Sequence, residues 1–217
     1  MERVSLHELS VRERIAFFLN VYQCMYIHNF LKVAADGVDM TQAESYFQTL
    51  KSLVISSGRK PFFYSMGGFN FTLDEIKHGI LRGNKRPPSA YLVRALSWND
   101  PKAQFVKELN DGRVNFVCLD LPDIVEHTDS FASEEDLNER LDKFVAEILN
   151  AKVNVDTVQG EITLPKLLQT YKNDFCNGTD EGLLRFVFKY YSCGSEAEDE
   201  AVVKEVCQRK TMIIRFE

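Results

Sequence analysis

Cys118, His78 and Asp120 are the side chains whose types could carry chemistry, and that chemistry would be acyl transfer or hydrolysis. A thiol mechanism needs a thiolate, a neighbouring base and a group that orients the base. Cys118 offers the thiol, His78 the acid–base group and Asp120 a carboxylate, which could also act directly with His78. A structural reading competes with each. Cys118 lies in Val114-Asn115-Phe116-Val117-Cys118-Leu119, an alternation that predicts a buried strand. Cysteines in such strands behave as small, inert hydrophobes. His78 follows Lys77, whose charge disfavours a protonated imidazole, and a histidine bonded to a neighbouring helix is the alternative. Arg82 falls one turn after His78 on the same face. It could pair with Asp120 or Asp100, or receive a small anionic ligand. Asn20 sits among aromatic residues, where a buried amide must find partners.

Bulk properties narrow the classes. The net charge of −6 over 217 residues supplies no broad cationic field, so nucleic acid is not expected as a partner. The short basic run Arg82-Gly83-Asn84-Lys85-Arg86 reads as a solvated loop. No apolar run reaches the roughly 18 residues of a membrane span. The first residues lack the layout of a secretory signal. The five cysteines are scattered, odd in number and never in C-x-x-C pairs, which predicts reduced thiols in the cytoplasm. With four scattered histidines, no metal or other cofactor is expected. Gly67-Gly68 lacks the Lys-Ser/Thr of a phosphate loop, and the sequon at Asn177 would go unused in the cytoplasm.

The elements that must position these residues are mostly helical. Ser10 and Glu13 form a capping-box pattern ahead of a helix to about residue 35, with Ile15, Phe18, Leu19, Tyr22, Met25 and Tyr26 on one face. Thr41 starts a second helix to about Val54. Two aromatic arms around Gly67-Gly68 predict a hairpin, and Thr72 with Glu75 caps a helix to about Leu81. Asp100-Pro101 opens a short helix to Leu109, and Ser133 caps an amphipathic helix to Leu149. A second hairpin spans 152–164, Pro165 opens a helix to about Tyr171, and Thr179 caps one from Asp180 to Tyr191. A short helix near 202–207 and a closing strand at 211–216 complete the chain. The expectation is α+β: one helix-rich domain over residues 1–217, around a small antiparallel β-sheet.

Three blocks of sequence then resemble the domain of unknown function 547 family. Phe17-Phe18-Leu19-Asn20-Val21-Tyr22 matches its aromatic opening helix, with Gln23 in place of Asn. Ile76, His78, Leu81 and Arg82 match its second motif, with Lys77 in place of Glu. Pro165-Lys166-Leu167-Leu168, Tyr171, Asp174 and Phe175 match a third, so the resemblance runs from about Leu6 to Phe216. It implies a cleft lined by Asn20, His78, Arg82, Asn115 and Asp120. Many members carry a His where this chain has Asn115, and a thiol near the position of Asp120. The family's closing Tyr-Asp-Trp is missing, which implies a chain cut from a larger parent.

The resemblance and its departures predict a non-catalytic protein-interaction or ligand-binding domain, a pseudoenzyme with a degenerate cleft. Its expected partner is another protein, in a signalling context implied by the family. The alternative is a hydrolase or acyltransferase using Cys118 or a carboxylate with His78.

Overall fold

A computed structural model describes residues 4–35, 62–88, 93–106, 111–118, 136–156, 158–176, 178–192 and 213–217. The expected helices at 41–54 and 202–207, and the caps at Ser133 and Asp120's surroundings, lie outside the described residues. The chain divides into two compact units, Met1–Asn110 with Val117–Leu137, and Asp111–Phe116 with Asn138–Glu217.

In the first unit, α1 (Val11–Ala35) starts at the expected capping box. Glu13 accepts from the Ser10 amide at 2.8 Å, and the Glu13 amide donates to Ser10 Oγ at 3.2 Å. All six residues of the expected apolar face are buried. The hairpin of β1 (Phe63–Met66) and β2 (Phe69–Thr72) is antiparallel, pairing Phe63 with Thr72 and Met66 with Phe69. Gly67 and Gly68 turn it with φ of +55° and +82°, the left-handed pair that a two-residue hairpin loop requires. Phe71 of β2 packs on Phe18 and Phe105, so helix, hairpin and following loop share one aromatic core.

Thr72 and Glu75 form the second capping box, but the helix after it is not the expected α-helix. Glu75–Leu81 is a π-helix, continued by Arg82 N–H donating to Lys77 O at 3.0 Å and Asn84 N–H to Gly79 O at 2.9 Å. Its residues from Ile76 to Leu81 are all buried. Asp100 caps a short 3-10 helix, Pro101–Phe105, by accepting from the Lys102 amide at 2.9 Å.

The expected strand over 113–119 is instead a turn of helix, α2 (Val114–Val117), whose residues divide between the units after Phe116. Its β-branched and aromatic side chains fit a buried helical turn as well as a strand, and the run is too short for periodicity to decide.

The second unit holds α3 (Leu137–Lys152), β3 (Asn154–Asp156), β4 (Glu161–Leu164), α4 (Lys166–Thr170), α5 (Lys172–Phe175), α6 (Asp180–Tyr190) and β5 (Ile213–Phe216). Leu141, Phe144, Val145 and Ile148 are buried along α3 as the periodicity predicts. Thr179 caps α6 by accepting from Gly182 N at 3.1 Å. β3 and β4 form the expected antiparallel hairpin, but β5 joins β4 in parallel, Glu161 opposite Ile213. Phe116, Phe175 and Phe186 cluster with ring centroids 4.9–6.1 Å apart, Phe116 buried and the other two half-buried. The molecule is therefore α+β and helix-rich, with its strands in two small sheets.

Gly112 is fixed by close approach. A Cβ there would lie 2.6 Å from the Asp174 carbonyl oxygen and 2.8 Å from the Phe175 ring. Backbone cannot yield as a flexible side chain can, so Gly112→Ala is expected to cost about 2–3 kcal/mol. Urea unfolding measures it, and an unchanged midpoint would show that the approach is looser than described.

Candidate functional site

The first unit brings three of the candidate side chains, His78, Arg82 and Cys118, together with Lys77 at the π-helix. Lys77, His78 and Arg82 are only 5–7% exposed, and Cys118 is 1% exposed. The helix is buried all round from Ile76 to Leu81, so the adjacent Lys77 and His78 are both enclosed.

Arg82 donates from Nη1 to His78 Nδ1 at 2.6 Å. A guanidinium only donates, so Nδ1 must accept and the imidazole proton resides on Nε2. The contact with Arg82 thus occupies Nδ1 of the ring. Arg82 Nη1 also reaches the Arg86 carbonyl at 3.4 Å. Asp100 is not its partner; that carboxylate caps the 3-10 helix and faces Lys102 Nζ at 3.8 Å. Lys77 donates from Nζ to the Cys118 carbonyl at 2.6 Å and lies 6.0 Å from the Tyr22 ring centroid. The sequence signalled Lys77 only as a departure from the family motif, not as a strut between the π-helix and Cys118.

Burial pushes the Cys118 thiol up to about 12, against the opposing pull of Lys77 and Arg82. Desolvation outweighs two nearby cations, so the thiol stays protonated at neutral pH. Asn20, on α1, is partly exposed. Its neighbour Gln23 is 3% exposed, and its Nε2 has no hydrogen-bond partner among the described residues. Asp120 lies outside the described residues.

Asn115 belongs to the second unit and is fully buried. Its Nδ2 donates to Asp174 Oδ2 at 3.0 Å and to Gly112 O at 3.1 Å. Two acceptors fix the amide orientation, leaving Oδ1 without a donor among the described residues. Asp174 was visible in sequence as part of the third motif, though nothing there linked it to Asn115. The same unit holds a network that sequence did not reveal. Arg113 bridges Asp111 and Asp142 at 2.6 Å each, and Tyr190 donates to Asp142 at 2.8 Å. Burial raises the Asp142 carboxyl, but the bonds from Arg113 and Tyr190 prevail and hold it below its ordinary value. This network ties the turn at 111–113 to α3 and α6.

No cluster of three metal-ligating side chains occurs among the described residues. No helix among them is long and apolar enough to cross a membrane.

The family described as "Protein of unknown function, DUF547" matches residues 6–121, more than half of the chain, and the chain belongs to that family. The match holds α1, the π-helix and Cys118; the third motif, from Pro165, lies beyond it. Comparison with curated proteins and with solved structures gives no match.

The Cys118 thiol also has a stability signature. It keeps its proton to about 12 in the folded chain, whereas an ordinary thiol loses it near 9.0. The stability this contributes is complete below about 9 and is lost as pH rises through that window, because the unfolded chain ionises first. The urea midpoint should fall between about pH 9 and about pH 11, and fall less in Cys118→Ala. Equal slopes in the two proteins would contradict a buried neutral thiol.

Proposed function

We propose that this chain is a non-catalytic interaction or ligand-binding domain of the DUF547 family, with polar residues buried about its π-helix and no working nucleophile among them. The observation that carries the reading is the burial of Cys118, which is 1% exposed. A shift from 9.0 to about 12 lowers its thiolate fraction at neutral pH about a thousand-fold. The candidate base fares no better. His78 spends Nδ1 on Arg82, and the adjacent guanidinium opposes protonation of the ring. Asn115, where family members carry His, offers an amide with no basic lone pair near neutral pH.

Such a domain acts by presenting surface, and a protein partner is the role proposed for it, in the cytoplasm and in a signalling context. The buried cations at Lys77 and Arg82 then serve architecture, setting the shape of the loops that follow the π-helix.

Alkylation rates separate the readings. On the folded protein at neutral pH, iodoacetamide should label exposed Cys24 and spare Cys118 until the chain is unfolded. Fast labelling of folded Cys118, or substrate turnover abolished by His78→Ala, would falsify the non-catalytic reading.

A further inference from the structure

Trp98 is the only tryptophan in the chain and is 96% exposed. A tryptophan left in water normally lies on a mobile tail, but this one stands on a braced loop. Asn84, at a φ of +55°, donates from Nδ2 to Leu96 O at 3.0 Å and accepts from Leu96 N at 3.1 Å. Arg94 Nη1 bonds to the Asn84 carbonyl at 3.0 Å. Leu96 is fully buried against Gly79, and Asp100 anchors the far side through its cap. The loop after the π-helix and the loop carrying Trp98 are therefore laced together. Val93 is 67% exposed on the same loop. Arg86 and Arg94 are exposed on the two laced segments, whereas the nearby Asp100 is occupied by Lys102. Among the described residues of these two segments, Arg86 and Arg94 are exposed cations, in a chain whose net charge is −6.

We propose that this loop pair is a docking surface for an anionic membrane, with Trp98 and Val93 entering the headgroup interface while Arg86 and Arg94 meet acidic lipids. Indole is the side chain that favours the membrane interface, since its ring is apolar and its N–H stays wet. Cations at the rim are each worth about five-fold in binding near anionic lipid. At 96% exposed, Trp98 projects from the fold, so it supplies an anchor and does not receive one. A lipid interface takes such an anchor without a complementary pocket, whereas a protein partner must supply one. The bracing at Asn84 means that insertion orders nothing further, which keeps the entropic cost low.

The single tryptophan reports on its own environment. Trp98 emission should shift to the blue with phosphatidylcholine vesicles containing phosphatidylserine, and not with phosphatidylcholine alone. Added salt should weaken the response. In co-sedimentation, Arg86→Gln should bind about five-fold more weakly. Trp98→Ala should lose about ten-fold or more, with its circular dichroism unchanged because the side chain is almost wholly outside the fold. No shift with the anionic vesicles, or Trp98→Ala sedimenting like the parent, overturns the proposal. A shift with polyglutamate but not with vesicles also overturns it, and assigns the surface to an acidic protein.

Discussion

Burying charge within one short helix is the constraint on which the first unit turns. Lys77 and Arg82 are each less than a tenth exposed, and moving an ion of that size out of water costs several kcal/mol after relaxation. Such a cost is met only where hydrogen-bond geometry is good. Lys77 finds the Cys118 carbonyl, and Arg82 finds His78. Both contacts require the side chains to point inward from a continuous stretch of buried backbone, which the π-helix permits. The end of that helix, closed by Asn84, then determines where the loop bearing Leu96 can lie.

The same burial decides what chemistry is accessible. Two cations beside a thiol ordinarily favour the thiolate, and in a wetter site Lys77 and Arg82 would do so for Cys118. Here desolvation prevails, because Lys77 is directed at the carbonyl of the residue and not at its sulfur. His78 shows a parallel outcome. The guanidinium that holds the ring in place also occupies the nitrogen and supplies the charge that discourages protonation.

Where local chemistry dictates the backbone, the sequence was legible. Ser10 with Glu13, Thr72 with Glu75, Asp100 with Pro101, and Thr179 all cap helices as their types demand, and Gly67-Gly68 makes its turn. Where tertiary context chooses between conformations, it was not. Val114 to Val117 carry strand-prone side chains in a helical turn, because burial satisfies either form. Nothing in Glu75–Leu81 distinguishes i→i+5 from i→i+4 bonding. Strand direction at β5 depends on a partner more than forty residues away, beyond the reach of any turn signal. Of the candidate residues, His78 and Arg82 were placed on one face because a one-turn spacing is local, but the sequence pointed Arg82 to a carboxylate or an anionic ligand and not to His78. Lys77 with Cys118, and Asn115 with Asp174, were not linked, since their separations of 41 and 59 residues leave no mark in the pattern.

Asn115 shows what a buried amide can and cannot do in this position. Its Nδ2 holds Asp174 and Gly112 O together, and Gly112 in turn allows the close approach of the Asp174 backbone. An imidazole can donate to a carboxylate from one nitrogen and keep a basic lone pair on the other. An amide can make the donation but has no base to offer. Among the described residues Oδ1 meets no donor, and a buried acceptor left so costs of order 1–3 kcal/mol. A buried apolar residue of similar size would avoid that cost but leave Asp174 without the donor. What the amide retains is therefore the tie between the 111–115 turn and α5, which is an architectural function and requires no proton transfer.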